Sequence, residues 1–223
     1  MLGAAASANK FAYAREGQYG LLMTALTAEG DKLNIDEKDD DERTLLHWAA
    51  GAGHLEMVNM LLERQADPNT EDDSQWTPLL SAASAGKLGV ARALVKAGAD
   101  VDARSSQGVT ALGYACSKGH QPVAEFLLEQ GASLNVVDRH GDTPLHRAVR
   151  SAELVRLLLA KGARADRTNK AGQSALHRAA EEKIEESCRV LVEAGADPDA
   201  KDQEGQTARM LGGKGLGEVW QRK

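Results

Sequence analysis

Paired leucines recur along the chain at Leu61-Leu62, Leu127-Leu128 and Leu157-Leu158, on predicted helix faces that no single segment can bury alone. Each pair follows a four-residue marker, and the markers keep a fixed interval. They are Thr44-Leu-Leu-His47, Thr77-Pro-Leu-Leu80, Thr110-Ala-Leu-Gly113, Thr143-Pro-Leu-His146, Ser174-Ala-Leu-His177 and Thr207-Ala-Arg-Met210, at spacings of 33, 33, 33, 31 and 33. A second marker runs in step at Gln65-Ala66, Gly98-Ala99, Gly131-Ala132, Gly162-Ala163 and Gly195-Ala196. The chemistry of these positions reads as helix punctuation. Thr or Ser is a preferred N-cap, proline is tolerated at the first helical position, and glycine relieves a left-handed helix end. The pattern therefore predicts two short helices per period, in an all-α repeat whose stability belongs to the stack.

A period of 33 carrying Thr-Pro-Leu-His resembles the ankyrin repeat, a β-turn followed by two helices. The resemblance implies an ankyrin solenoid of about seven helix-turn-helix repeats with short β-turn fingers, forming a single domain over 1–223. Its N-terminal capping repeat is expected at about 9–38, with repeats at about 39–71, 72–104, 105–137, 138–168 and 169–201 and a C-terminal capping repeat at 202–223. Residues from about Asn9 to Ile35 carry Ala, Tyr and Leu at helical spacing without the marker, as a first repeat with one solvated face should. The last segment begins a repeat and then turns glycine-rich at Gly212, Gly213, Gly215 and Gly217. The 31-residue interval falls within Ala148 to Val155, where the Gly-His turn of Gly53-His54 and Gly119-His120 is missing. A shortened turn between the two helices is expected there.

Composition narrows the class further. With 37 alanines and only eight aromatic residues among 223, β-sandwiches and barrels are disfavoured. Hydrophobic residues at 42%, charged residues at 27% and a net charge of -6 describe a folded chain, neither disordered nor collagen-like. No stretch approaches the length of a membrane span, and the alanine-rich run from Leu2 to Ala8 is too short for a signal peptide. Leucine at position 2 excludes myristoylation. Two cysteines, Cys116 and Cys188, cannot supply a disulfide framework, so a cytoplasmic and nuclear location is expected. A pI near 5.6 argues against nucleic-acid binding.

No catalytic residue, cofactor or metal is expected. His47, His146 and His177 occupy the fourth marker position, where imidazole would bond the turn backbone and the Thr or Ser hydroxyl. Stacked repeats would hold equivalent histidines roughly 10 Å apart, too far to share a zinc ion. The run from Gly212 to Gly215 lacks the hydroxyl after lysine and the preceding strand of a phosphate loop.

Function must then lie on exposed repeat positions. Turn tips before each marker form fingers, among them Asp39-Asp-Asp-Glu-Arg43 and Glu71-Asp-Asp-Ser-Gln-Trp76. The residue after each marker should face the groove, giving the ladder Trp48, Ser81, Tyr114, Arg147 and Arg178. Residues 1–138 hold 11 basic and 20 acidic side chains, whereas 139–223 hold 16 and 13. A partner should therefore bring basic groups to the N-terminal fingers and acidic groups farther along. Trp76, at a finger among charges, has the character of a binding hot spot.

Asp41-Glu-Arg-Thr-Leu-Leu-His-Trp48, Ala52-Gly-His54, Asp72-Asp73 with Trp76-Thr-Pro-Leu79, Ala82-Ala-Ser-Ala-Gly86 and Gly212-Gly-Lys-Gly-Leu-Gly217 add a closer likeness. They resemble the proteasome-assembly branch of the ankyrin-repeat family. That resemblance implies an assembly chaperone of the 19S regulatory particle whose concave face binds the C-terminal domain of an AAA ATPase subunit. It implies acidic contacts at Asp41 and Asp73, basic contacts at Arg43 and Lys118, and a partner-facing pair Trp48 and Trp76; Tyr114 joins them from the ladder. One departure stands out. The Leu-x-Cys-x-Glu motif linked to retinoblastoma binding falls on Arg178-Ala-Ala-Glu-Glu182, with leucine and cysteine both replaced. The rival reading is a stoichiometric inhibitor of a kinase or transcription factor, and a regulatory fragment of a larger enzyme is a third. A monomer on its own is expected, with no nucleic acid and no membrane as partner.

Overall fold

Each marker caps a helix as its chemistry requires. Thr44 is extended, its hydroxyl accepts the His47 N–H, and α3 (Leu45–Ala52) follows, ending on Gly53 in the left-handed region at φ 90°. The computed structural model describes residues 10–30 and 33–221; 1–9, with the Leu2 to Ala8 run and Asn9, lie outside it, as do 31–32 and 222–223. Before α3 come α1 (10–16) and α2 (Tyr19–Glu29). Then follow α4 (Leu55–Glu63), α5 (Pro78–Ser84), α6 (Leu88–Lys96), α7 (Ala111–Lys118), α8 (Gln121–Glu129), α9 (Pro144–Arg147), α10 (Ala152–Ala160), α11 (Ala175–Glu181), α12 (Glu185–Glu193) and α13 (Ala208–Gly212). Two short 3-10 turns, Gly213–Leu216 and Val219–Gln221, close the described chain.

The helices fall into two compact units that divide between Ser106 and Gln107. In the first, α3 packs on both α4 and α5, and α4 packs on α6. Leu45, Leu46, Ala49, Ala50, Val58 and Leu61 are fully buried, and so are their counterparts Leu79, Leu80, Ala82 and Ala83. Alanine at the inner-helix contacts lets successive helices approach closely, which accounts for the alanine-rich composition. In the second unit α9 packs on α7 and α11, α10 on α8 and α12, and α11 on α13. Truncating one of these buried leucines to alanine would cost about 2–5 kcal/mol.

Five of the fingers are built on one carboxylate or amide each, while Ser105 stands at that position in the finger before Thr110. Oδ1 of Asp39 accepts the N–H groups of Asp41 and Arg43 at 3.0 and 2.9 Å. Asp72 does the same for Ser74 and Trp76, Asp138 for His140 and Asp142, Asn169 for Ala171 and Gln173, and Asp202 for Glu204 and Gln206. Such Asx bonds close a tight loop without a partner strand. Asp39 and Asp72 are therefore loop anchors rather than part of a free acidic tip.

Two expectations need correction or completion. In the 31-residue interval it is the inner helix that shortens: α9 has four residues against eight in α3, while the connection to α10 is kept open by Ser151, whose hydroxyl caps the Leu154 N–H. At the C-terminal end, a Cβ on Gly212 would stand 2.7 Å from Leu216 Cδ1 and 2.9 Å from Trp220 Cζ2. The glycine is thus a packing site for the cap. At the other end, buried Lys10 bonds Glu29 at 2.8 Å and Glu37 at 2.6 Å, tying α1 to the end of α2 and the segment beyond.

Candidate functional site

In the first unit an open groove of about 320 Å³ is lined by Arg15, Arg43, His47, Trp48, Trp76 and Ser81, among others. Its parts come from three successive helix pairs. Trp48 projects from α3 immediately after the marker, and its indole N–H donates to Asp39 Oδ2 at 2.7 Å. Arg43 and Arg15 lie over the Trp48 ring, 5.0 and 5.7 Å from its centre. Such contacts are worth about 0.5–1 kcal/mol when exposed. Trp76 is half-buried beside them at the base of the next finger. The structure thus brings together Arg43, Trp48 and Trp76, with Asp41 and Asp73 exposed on the two adjoining fingers. The sequence pattern does not single out Arg15, because the capping repeat carries no marker to align it.

Arg43 differs from the freely solvated fingertip expected of it. Its Nε donates to Asp72 Oδ2 at 3.1 Å, and that carboxylate is almost wholly buried, with 1% of its side chain exposed against 36% for Arg43. Asp72 is at the same time the anchor of the Trp76 finger. Arg43 therefore stitches one finger to the next while leaning on Trp48, and a substitution there disturbs structure as well as surface.

His47 locks the same region from below. The Thr44 N–H donates to its Nδ1 at 3.1 Å, which leaves the proton on Nε2, and Nε2–H donates to the Trp76 carbonyl at 2.9 Å. His146 and His177 repeat the arrangement, reaching the Gln173 and Ala200 carbonyls at 3.0 Å. Burial holds the His47 and His146 pKa values below the usual imidazole range, with the carbonyl bonds opposing it. These imidazoles are structural links between repeats, as the marker position implied. Cys116 and Cys188 are buried on α7 and α12, and burial pushes both thiols up to about 12. Neither is a nucleophile in that state.

The second unit carries the remaining candidates. Tyr114 and Lys118 lie on α7, half-buried and exposed respectively. Arg147 and Arg178 occupy the ladder position of α9 and α11, and each is bonded to a carboxylate of its own or the preceding finger, Asp138 and Asp142. Burial would raise the Asp138 pKa, but the Arg147 guanidinium together with the Asp142 and His140 amides holds it below the usual carboxylate range. Asp142 also accepts from Asn169 Nδ2 at 2.9 Å.

Comparison with known proteins gives a consistent picture. A family model for ankyrin repeats, three copies long, matches residues 11–105, 66–138, 101–169 and 130–202. Over 57 residues the chain is 37% identical to the human acyl-CoA-binding domain-containing protein 6, covering 26% of this chain and 20% of that protein. The match thus spans about a fifth of that relative's length. The chain is also similar to the ankyrin repeat domain of Bcl-3, described as a unique member of the IkappaB protein family, at 27% identity and a TM-score of 0.79, covering 94% of this chain and 96% of that one. For the human ASB11 ankyrin repeat domain the values are 25% identity, a TM-score of 0.85, and 94% and 95% coverage. With the family model running from residue 11 to 202, the chain belongs to the ankyrin-repeat family of protein-binding scaffolds.

Proposed function

We propose that the chain is a non-enzymatic assembly chaperone of the 19S proteasome regulatory particle, binding the C-terminal domain of an AAA ATPase subunit in the cytoplasm and nucleus. The observation that carries this reading is the groove in which Trp48, Trp76 and Arg43 meet beside the exposed carboxylates of Asp41 and Asp73. That constellation resembles gankyrin, the non-ATPase proteasome subunit 10. Its acidic contacts to arginines fall here on Asp41 and Asp73, its contacts to glutamates on Arg43 and Lys118, and its tryptophans on Trp48 and Trp76. A half-buried tryptophan flanked by charges suits a hot spot, where the ring is desolvated and the charges fix orientation.

The similarity to Bcl-3 favours a second reading, a stoichiometric inhibitor of a transcription factor or kinase. Capture by the C-terminal domains of the proteasomal ATPases, measured by calorimetry, separates the two. Trp76→Ala should weaken capture by about 2 kcal/mol, roughly 30-fold, with the fold retained. Failure of the parent chain to bind any ATPase domain would overturn the chaperone reading. Unaltered affinity of Trp76→Ala alongside a large loss of stability would place Trp76 in the core instead.

A further inference from the structure

We propose that the second unit carries a docking surface of its own for an acidic protein segment, formed by Arg139, Arg147, Lys170 and Arg178. The chaperone reading assigns none of these residues, so this inference goes beyond it. The finger anchors allow the fingers to be aligned residue by residue, and the position after the anchor then reads Asp40, Asp73, Ser106, Arg139, Lys170 and Gln203. The sign of the tip reverses along the chain. Arg139 and Lys170 are exposed and make no ion pair among the described residues. Their backbones are nevertheless fixed, since the Arg139 N–H donates to the Gln107 carbonyl and the Lys170 N–H to the His140 carbonyl, both at 2.9 Å.

Behind these tips stand Arg147 and Arg178, at the same position of the adjacent inner helices α9 and α11. Each guanidinium is held on one edge by a carboxylate that is itself buried: Asp138 is 2% exposed and Asp142 6%, while Arg147 and Arg178 keep 21% and 32% of their side chains in solvent. Those carboxylates are already committed. Asp138 Oδ1 takes the His140 and Asp142 amides, and Asp142 Oδ1 takes Asn169. The arginines have donors to spare, because a guanidinium carries five N–H groups and only some of them meet the carboxylate. A cation already held in place loses little rotamer freedom on binding, which favours a partner carboxylate over water.

Glu182 is taken up by Arg150 at 2.6 Å and the next finger tip, Gln203, is neutral, which leaves Glu181 on α11 and Glu204 on the next finger as the exposed carboxylates set against the four cations. Inner helices one repeat apart are separated by about 10 Å, which is also the rise between positions i and i+7 of an α-helix. The surface therefore fits a helix presenting carboxylates at that spacing. Nucleic acid fits it less well, since the chain's net charge is -6 and only two of the four cations stand free at the tips.

The test uses the full chain and a fluorescein-labelled helical peptide with glutamates at i and i+7, read by fluorescence anisotropy beside its glutamine counterpart. Expected are binding of the glutamate peptide that weakens as salt is raised, and a loss of about tenfold or more in Arg139→Glu/Lys170→Glu. Arg139→Gln/Lys170→Gln, which adds no charge to either finger, should show a smaller loss in the same direction. Equal affinity for the glutamine peptide, equal affinity of both tip variants and parent, or tighter binding of an oligonucleotide of equal length would each overturn the proposal. ATPase capture is measured separately, so failure here leaves the chaperone reading standing, and the converse holds as well.

Discussion

Arg43→Glu offers the most direct check on how the groove is held together. The change removes a charge-assisted hydrogen bond to Asp72, worth about 1.5–3 kcal/mol, and sets a second carboxylate beside one that is 1% exposed. Breaking a fully buried ion pair costs about 3–5 kcal/mol, but Arg43 is 36% exposed, so solvent relieves part of the repulsion. About 2–3 kcal/mol is the resulting expectation. In a chain of this length each kcal/mol moves the melting temperature by about 2–4 °C, so a fall of about 4–12 °C should follow. Lys118→Glu, at an exposed site with no packed partner to lose, should stay within about 0.5 kcal/mol of the parent. Tryptophan fluorescence locates the effect, because Trp48 and Trp76 both report on the first unit while Trp220 reports on the second. A melt of Arg43→Glu indistinguishable from that of Lys118→Glu would refute the structural role given to the Arg43 and Asp72 pair. The consequence for binding assays is direct. Loss of ATPase capture by Arg43→Glu mixes contact with stability, whereas the same loss by Lys118→Glu reports contact alone.

Two further predictions concern the fold itself. Lys183 sits at φ 58°, at the position where other inner helices end in Gly53, Gly86 or Gly119, so Lys183→Gly should stabilise the chain by about 1 kcal/mol and raise its urea midpoint; no change or a fall would mean the left-handed turn is not strained. His47 and His146 have folded-state pKa values below the unfolded value of about 6.5, so their contribution is complete above that pH and is lost as pH falls through 6.5 toward the folded values. Urea midpoints should therefore drop between about pH 7.5 and 5.5, and His47→Gln should flatten that slope; an unchanged slope would sink the assignment.

What the sequence made legible follows the range of each interaction. Caps, proline at the first helical turn and glycine at helix ends act within a few residues, so the markers announced the helix pairs and the histidine links directly. Partners that lie a whole repeat away did not announce themselves. Nothing in the local sequence says that Arg43 will choose Asp72, or that Arg15 will cover the face of Trp48, because those contacts exist only once the stack has formed. The shortened repeat was ambiguous for a related reason: two missing residues can come from a turn or a helix, and only the Ser151 cap on Leu154 decides between them. The finger anchors, by contrast, were available. An Asp or Asn recurs at 39, 72, 138, 169 and 202 in step with the markers, and read as spacing rather than charge it identifies the residue that closes each finger. That distinction changes the electrostatic argument. With Asp39 bound to Trp48 and Asp72 to Arg43, the acidic surface left to a partner in the first unit shrinks to tips such as Asp40, Asp41 and Asp73. In the same two fingers Glu42 and Gln75 hold the left-handed conformation, at φ 59° and 58°, that glycine supplies at 108, 141, 172 and 205. Backbone strain in both fingers therefore coincides beside the tryptophan groove with carboxylates, Asp41 and Asp73, that make no ion pair among the described residues, a combination the proposed binding role would draw on.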